Sequence, residues 1–338
     1  MENKLNNLDN ETISFRNKLY SKNQIIVKAY KNQIEGNLEE AANYYKCFIE
    51  NGFFDSKVFI NLGIIQSKLG KISDAIVLYK KSIEVNPENQ SAYNNLGLLY
   101  LHKNEYAKAN ICFLKSIEIK SNFFIGYSNL GLSYIKQKKF LIAEKYISKS
   151  IEINPKFVDS LNHMGVILRN REKLESAEVY FRKAIEVNSN FAEAHVNLGI
   201  ILKDQNKLDD AEISTFNALK LDPNLISAYH NLGLVMKKKN NFKRAEKYIR
   251  KSIELNPKSY KSYYELGNIM VKLGNLEEAS ICYQKAIKYN KYFSEAIAEL
   301  GRVQLRQGKH LKGLKNLRKG YGSIEFNHTF NKVLINKN

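Results

Sequence analysis

The sequence predicts an all-α solenoid, in which helical hairpins follow one another along the chain. Three observations predict this fold. Glycines recur every 34 residues without a slip, alanines recur at a fixed distance behind them, and every proline falls at one place in the period. Periods of this length are typical of stacked helical repeats, in which each unit packs only against its neighbours. The length of 338 residues therefore does not require separate compact domains.

The glycine period defines the repeating block. When the glycine is placed at position 8, the blocks start at residues 56, 90, 124, 158, 192, 226, 260 and 294. In the second block, Tyr93, Leu96, Gly97 and Tyr100 have the spacing of one helix face. A larger side chain at Gly97 would clash with a neighbouring helix, so we expect close packing there. The eight glycines are Gly63, Gly97, Gly131, Gly165, Gly199, Gly233, Gly267 and Gly301.

A turn, a second helix and a break complete each block. Position 15 is glycine or asparagine in six of the eight blocks, the exceptions being Lys138 and Glu172. Both residue types tolerate the left-handed conformation that ends a helix. A second helix is then indicated by alanine at position 20, from Ala75 to Ala279. Proline at position 32 ends it. The four prolines are Pro87, Pro155, Pro223 and Pro257.

The ends of the chain depart from the regular block. A ninth, weaker unit at 22–55 keeps Gly36, Ala41 and Tyr45 but has Ala29 in place of the marker glycine. We expect residues 1–21 to be a lead-in or a partial capping helix, 22–327 the repeat array with a first unit at 22, and 328–338 a C-terminal tail. The stretch SIEFNHTFNKVLI alternates weakly, as in a short hairpin. Such a hairpin would cover the exposed end of the array.

The composition indicates the kind of partner, the state of the cysteines and the cellular location to expect. The net charge of +19 favours acidic partners without naming one. Cys112 and Cys282 occupy the same place five blocks apart, too far for a disulfide, so with Cys47 they are expected to be reduced thiols. The N-terminus lacks an apolar signal stretch, and no apolar run is long enough to span a membrane. We therefore expect a cytoplasmic protein without membrane insertion.

With these residues in hand, the chain resembles the tetratricopeptide repeat family over about 22–327. Its signature appears in the second block as Tyr93, Leu96-Gly97, Tyr100, Ala109 and Phe113. The period of 34 and the Leu-Gly pair argue against the RNA-reading pentatricopeptide repeats. The resemblance implies a right-handed superhelix whose first helices line a concave groove. In such proteins the groove usually holds an extended peptide or a partner's helix.

Asparagine at position 6 is the first candidate binding feature. Asparagine has a low helix propensity, so its recurrence at position 6 of a helix indicates a specific role. A ladder of amides would suit the N–H and C=O groups of an extended peptide, and similar ladders occur in the repeat arm of O-linked N-acetylglucosamine transferases. The alternative is that the amides belong to the family's average unit or join neighbouring units. The five asparagines are Asn61, Asn95, Asn129, Asn197 and Asn231.

Basic residues near the ends of the first helices form a second candidate stripe. Their positive charge would draw acidic peptides into the groove, although a helix C-terminus favours cations for its own stability. The residues that we predict to bind peptide are Lys68, Lys136, Lys203, Lys237 and Lys272. The lysines at position 26 mostly precede a glutamate by three residues and are expected to form ion pairs on the helix surface.

The sequence gives little support for metal binding, cofactor binding or catalysis. His163, His195 and His230 fall at three different registers, and no cysteine or carboxylate completes a metal set. No phosphate-binding glycine loop or nucleophile elbow occurs, so we predict no cofactor and no catalytic residue. Some repeat proteins that the chain resembles bind the C-terminal carboxylate of a chaperone through a lysine at position 5. Position 5 is never lysine in these blocks, so we do not expect that binding site.

The sequence thus favours a non-enzymatic scaffold that binds an extended, acidic-biased peptide segment of a partner protein. One alternative is the substrate-selecting component of a glycosyltransferase system whose catalytic domain is on another chain. A second alternative is nucleic-acid binding through the basic surface, which ranks last because no aromatic stacking platform is evident.

Overall fold

The computed structural model describes residues 12–16, 18–327 and 332–337. Over these residues the chain is almost entirely helical, with eighteen helices in consecutive pairs and a two-stranded hairpin at each end. The chain divides into two units, residues 1–171 and 172–338. Within each unit, consecutive helices contact one another along the sequence. The prediction of an all-α solenoid is confirmed.

The first unit contains nine helices in the described residues. Their bounds are α1 Lys22–Ile34, α2 Leu38–Glu50, α3 Ser56–Lys68, α4 Ile72–Val85, α5 Gln90–His102, α6 Tyr106–Ile119, α7 Phe124–Lys136, α8 Phe140–Ile153 and α9 Val158–Asn170.

The second unit also contains nine helices in the described residues. They are α10 Leu174–Val187, α11 Ala192–Asp204, α12 Leu208–Leu221, α13 Ile226–Lys238, α14 Phe242–Leu255, α15 Tyr260–Lys272, α16 Leu276–Tyr289, α17 Ser294–Arg306 and α18 His310–Tyr321. The odd-numbered helices, which we call first helices, each begin at the first residue of a sequence block. The even-numbered ones are the second helices.

The marker glycine allows the two helices of a hairpin to approach closely. A Cβ built at Gly97 would lie 2.6 Å from Cε1 of Phe113, a fully buried ring at position 24 of the same block. Gly63 meets Tyr79 and Gly267 meets Tyr283 in the same way. The position-20 alanines from Ala41 to Ala279 are fully buried beside this contact. These small residues set the spacing of each helix pair.

The turn between the two helices is left-handed in all eight blocks. Its position 15 has φ between 58° and 64° where the residue is not glycine, at Asn104, Lys138, Glu172, Asn206 and Asn240. Lys138 and Glu172 therefore adopt the same conformation as the glycines and asparagines, although their side chains give it no local support. The geometry of the hairpin imposes this backbone conformation on them.

The second helices from α4 to α16 each end in an extended residue at position 31. Asn86 has φ −141° and ψ 92° and precedes Pro87, which disfavours helical backbone in the residue before it. The Oδ1 of Asn86 then accepts a hydrogen bond from the N–H of Glu88, forming an Asx turn. Lys120 takes the same conformation with no proline after it. The break therefore does not depend on proline alone.

The prediction of a partial capping helix within residues 1–21 is wrong for the described residues. Strands β1 (Thr12–Phe15) and β2 (Lys18–Ser21) form an antiparallel hairpin there. Its polar and apolar residues alternate with the period of a strand. Ile13 is fully buried in a cluster with Ile25 and Tyr45, so the hairpin covers the start of the array.

The C-terminal segment forms the predicted hairpin. Strands β3 (Gly322–Asn327) and β4 (Lys332–Lys337) pair antiparallel and lie beside α18. Gly322 has φ 94°, a conformation that favours glycine, and it ends the last helix. The helical part therefore ends at Tyr321, six residues before the expected end of the array at 327. Residues 328–331 lie outside the described residues.

Two features bear on the environment of the chain. None of the helices in the described part combines the length and hydrophobicity needed to cross a membrane. Cys47, Cys112 and Cys282 are free, buried thiols. Burial raises the pKa of both Cys112 and Cys282 to about 11, which makes these thiols poor nucleophiles at neutral pH.

The left-handed turn at Lys138 gives a stability prediction. Lys138→Gly should raise the free energy of unfolding by about 1 kcal/mol, because a left-handed backbone costs a side-chain-bearing residue more than it costs glycine. Denaturant unfolding followed by far-UV circular dichroism measures the change. The control is Lys139→Gly at the next residue, where φ is −90° and glycine brings no relief. Equal effects of the two substitutions would contradict the account.

Candidate functional site

The predicted site lies on the first helices. In the first unit, α3, α5, α7 and α9 contact one another in sequence, and so do α11, α13 and α15 in the second unit. We call the surface formed by Asn61, Asn95, Asn129, Lys68 and Lys136 in the first unit the amide face. Its asparagines occupy the same position of consecutive helices in contact. Asn197, Asn231, Lys203, Lys237 and Lys272 occupy the corresponding surface of the second unit.

Two asparagines of the amide face bond to the hairpin before them. The Nδ2 of Asn61 donates to the hydroxyl of Tyr45 at 3.1 Å, and the Nδ2 of Asn129 donates to Oδ1 of Asn94 at 2.8 Å. These bonds join neighbouring hairpins, which is the structural role that the sequence left open. The Oδ1 atoms of Asn61 and Asn129 make no hydrogen bond within the described residues, so each amide still offers an acceptor.

Asn231 does not fit the predicted ladder of amides that bind a peptide. Its side chain is only 2% exposed, and its Nδ2 donates to Oγ1 of Thr215 at 2.8 Å. The reason is the small side chain of Thr215, which stands where other blocks have an aromatic or aliphatic residue and leaves space for the amide. Asn231 therefore belongs to the interior of the second unit and is removed from the peptide-binding candidates.

Asn95 keeps its whole amide available. It is half-buried, and the described residues give it no hydrogen-bond partner. The facing position-24 residue of the preceding block is Tyr79, which is buried and makes no hydrogen bond to Asn95. Asn197 is also half-buried. Of the five predicted asparagines, Asn95 is thus the best placed to bind a polar backbone.

The five candidate lysines divide into two groups. Lys68, Lys136 and Lys272 are exposed, each is the last residue of its helix, and none forms an ion pair within the described part of the chain. Lys237 donates to Glu265 at 2.5 Å, and Lys203 lies 3.5 Å from Asp204. The carboxylates partly neutralise these two lysines. The positive charge open to a ligand is therefore concentrated on Lys68, Lys136 and Lys272.

The side chains of His163 and His230 form hydrogen bonds between neighbouring first helices. His163 Nδ1 lies 3.3 Å from the Ser128 hydroxyl, and His230 Nδ1 lies 3.1 Å from that of Ser262. Burial, together with the charge of Lys136, lowers the pKa of His163 to about 4. Burial also lowers the pKa of His230. Both rings are therefore neutral at pH 7 and serve as hydrogen-bonding groups between successive first helices.

The remaining expectations concern surface charges and metals. Lys115, Lys149 and Lys251 each pair with the glutamate three residues further on, at 2.6–2.9 Å. Exposed pairs of this kind add at most a few tenths of a kcal/mol. His195 is buried on the packing side, with Nε2 2.9 Å from the Ser189 carbonyl. Within the described residues, no group of three potential ligands is arranged to hold a metal ion.

Two contacts of this region were not singled out in the sequence. Asn94 and His230 occupy position 5, and each reaches the next hairpin, at Asn129 and Ser262. Position 5 is chemically varied along the chain, so no recurring residue marks it. The pairing depends on which residue the following block supplies.

Helical hairpins of a fixed length, packed through a small-residue column and carrying a polar stripe on their first helices, define a class of repeat scaffold. Models of the tetratricopeptide repeat match residues 90–123, 126–157 and 226–259, and also 180–213, 248–279 and 158–188. A further model, described as a TPR repeat, matches residues 65–104. Together these matches cover more than half of the sequence. The chain belongs to the tetratricopeptide repeat family, whose members are generally non-catalytic scaffolds for protein interactions.

Solved structures support the same fold. The IFIT1 monomeric mutant with Gppp-AAAA is similar with a TM-score of 0.65 and 15% identity, over 89% of this chain and 77% of that one. The Cut9–Hcn1 hetero-tetramer of APC/C gives a TM-score of 0.66 and 16% identity, over 85% of this chain and 56% of that one. PilF of Pseudomonas aeruginosa gives a TM-score of 0.53 and 21% identity, over 59% of this chain and 92% of that one. Comparison with curated protein sequences gave no significant match.

The burial of His163 predicts a dependence of stability on pH. Between pH 6.5 and about 4 the unfolded chain binds a proton that folded His163 does not, so stability falls as the pH falls through this window. The contribution is about 2–3 kcal/mol by pH 4. His163→Asn places the commonest residue of this position there and should reduce the loss of stability on acidification by that amount.

Urea unfolding at pH 7 and at pH 4.5 measures this effect. His102→Asn is the matched control, because His102 is exposed at the end of α5. The assignment would be overturned if the His163 variant lost as much stability between the two pH values as the unaltered protein.

Proposed function

We propose that this protein is a non-enzymatic scaffold that binds an extended, acidic-biased segment of a partner protein along the amide face. The observation that carries the proposal is the half-buried amide of Asn95, which has no hydrogen-bond partner among the described residues. Asn95 lies on α5, and the neighbouring helices α3 and α7 end in Lys68 and Lys136, which are exposed and form no ion pair with any described residue. A cytoplasmic location is part of the proposal and fits the three buried thiols.

The amides supply recognition that is independent of the partner's side chains. Each residue of an extended peptide presents one N–H and one C=O, and an asparagine side chain can bond to both. Asn95 offers its whole amide, while Asn61 and Asn129 offer Oδ1 and use Nδ2 to join neighbouring hairpins. Because those two side chains are held by their internal bonds, little side-chain entropy is lost when a peptide binds.

The lysines supply attraction and an acidic preference. Lys68 and Lys136 carry charges that no carboxylate of the described residues neutralises. Exposed charges of this kind accelerate encounter with an oppositely charged ligand more than they strengthen the final complex. Their effect falls with added salt, since the Debye length shortens from about 30 Å at 0.01 M to about 8 Å at physiological ionic strength.

The amide contribution can be tested with a partner recovered by affinity capture from the native lysate and then purified. Asn95→Ala should weaken binding by about tenfold, because it removes up to two hydrogen bonds worth roughly 0.5–1.5 kcal/mol each. Adding Asn129→Ala should weaken it further, at a small cost in stability because Asn94 loses its donor. Isothermal titration calorimetry gives the affinities, and circular dichroism confirms that the helices remain.

Asn43→Ala is the control for this experiment, since Asn43 is an exposed asparagine of a second helix. Unchanged affinity of the Asn95 and Asn129 double variant would refute peptide binding by the amides. Recovery of a glycosyltransferase in the same capture, with sugar transfer in the reconstituted mixture, would support the alternative of a substrate-selecting component.

The charge contribution gives a separate prediction. Lys68→Gln with Lys136→Gln should lower the association rate of the partner several-fold at about 10 mM salt, and the difference should nearly vanish at about 500 mM. Stopped-flow fluorescence measures the rates. Lys115→Gln with Lys149→Gln is the control that removes the same two charges, because both lysines lie on second helices and are already paired with a glutamate. Equal losses for both changes would show that only the total charge matters.

A further inference from the structure

A second candidate surface lies on the second helices of the first unit. A groove of about 420 Å³ runs between α2 and α4 over α3. Its apolar part includes Ile49, Leu62 and Val77, and Val77 is 52% exposed. We call this surface the outer groove. It shares no residue with the amide face, so the two surfaces can be altered independently.

Gln66 is one of four residues in the described part of the chain whose side-chain oxygen is buried without a hydrogen-bond partner. The other three, Asn110, Gln205 and Asn231, line neither the outer groove nor the two related grooves of the second unit. Gln66 lines the outer groove, is only 3% exposed, and its Oε1 is buried without a hydrogen-bond partner in the described residues. Six blocks carry an apolar or aromatic residue at this position, namely Tyr100, Tyr134, Leu168, Leu202, Met236 and Met270. Gln304 is the other glutamine, and its Oε1 accepts from Asn316 at 2.8 Å.

An unmet acceptor of this kind destabilises the folded chain. An apolar residue would fill the position without that penalty, as it does in the neighbouring blocks. The amide of Gln66 therefore needs another reason to be present. A hydrogen-bond donor brought into the groove by a ligand provides one.

The charges around the outer groove indicate the kind of ligand. Lys46, Lys71 and Lys81 line it together with Glu50 and Asp74, and none of these five forms an ion pair within the described residues. The groove therefore has a net charge of +1. At the position of Lys81, Lys115, Lys149 and Lys251 are each paired with a glutamate of their own helix, whereas Lys81, Lys183 and Lys285 form no ion pair within the described residues.

Two related grooves in the second unit serve as internal comparisons. One, of about 560 Å³, is lined by Arg182, Glu186 and Asp210, and the other, of about 610 Å³, by Arg250, Lys285 and three glutamates. Each has a net charge of −1. Arg182 pairs with Glu178 at 2.8 Å, and Arg250 pairs with Glu278 at 2.5 Å. Only the outer groove, among these three, combines surplus positive charge with a buried unmet acceptor.

We propose that the outer groove binds a second, acidic segment of a partner protein, apart from the segment bound along the amide face. A large apolar side chain of that segment lies against Ile49, Leu62 and Val77. The Gln66 side chain turns toward the segment on binding, which makes its buried Oε1 accessible, and Oε1 then accepts a hydrogen bond from a hydroxyl or amide group next to that apolar side chain. Carboxylates on either side of it lie near Lys46, Lys71 and Lys81.

The test uses a random dodecapeptide phage library selected on the Asn95→Ala protein, in which the amide face is weakened. We expect enrichment of peptides that carry a large apolar residue and a hydroxyl or amide residue between carboxylates. Synthetic peptides of the enriched class should bind the unaltered protein and the Asn95→Ala protein equally well in fluorescence anisotropy. This equality separates the outer groove from the proposed function of the amide face.

Gln66→Leu is the decisive variant, because leucine occupies the same position in two other blocks. It should raise the melting temperature by about 2–4 °C, since it removes the unmet acceptor, and yet weaken peptide binding at least tenfold. Lys46→Glu with Lys81→Glu should abolish binding at low salt. Lys149→Glu with Lys115→Glu makes the same change of charge elsewhere and should leave binding nearly unaltered.

Three results would overturn the proposal. The first is a selection that enriches no acidic and apolar class of peptide. The second is a Gln66→Leu protein that is more stable and binds the selected peptides as tightly as before, which would mean that water alone occupies the groove. The third is equal loss of binding in both pairs of lysine variants.

Discussion

The repeating unit depends on the packing of the first-helix glycine against the side chain that faces it from the second helix. At Gly97 a single added carbon would come within 2.6 Å of the Phe113 ring, and at Gly131 it would come within 2.4 Å of Ile147. Helices at this spacing bury the alanine beside the contact completely. This contact fixes the distance between the first and second helices of a hairpin, and the other packing contacts of the array depend on that distance.

In three blocks the facing residue also affects the bonding of the following asparagine, although Tyr79 makes no hydrogen bond to Asn95. The hydroxyl of Tyr45 accepts from Asn61, and the small Thr215 draws Asn231 into the interior. Phe113 has no polar group, and Asn129 bonds to Asn94 instead. Because the position-24 side chains affect the exposure of the position-6 asparagines, helix packing and peptide recognition are coupled.

Much of the fold follows from periodicity alone. The first helices begin at the first residue of each block because one unbroken period can only build one repeated hairpin. Lys138 and Glu172 show what periodicity adds beyond local preference, since their left-handed turns are imposed by the hairpin and not by their side chains. The N-terminal hairpin was harder to predict. Nothing repeats in residues 1–21, and the strand around Ile13 is stabilised by burial against the first unit.

The candidate site was only partly predictable, and the reason is physical. The sequence places five asparagines at one register, but burial depends on what the preceding hairpin presents to each of them. Asn231 and Asn95 occupy the same position of their blocks, but Asn231 is buried and Asn95 is half-buried. Gln66 was not singled out at all, although it replaces an apolar residue in a regular column. A polar residue at a packing position is the signal that would have found it.

The central claim is that a partner lies along the first helices of the first unit, and site-specific photo-crosslinking tests it most directly. A benzoylphenylalanine placed at Leu98 on α5, an exposed residue three positions after Asn95, should form a covalent link to the bound partner under illumination. The same group at Ile111 on α6, where the side chain is 67% exposed, should form none with the segment held by the amide face. Links from Ile111 alone, or equally from both positions, would contradict the account.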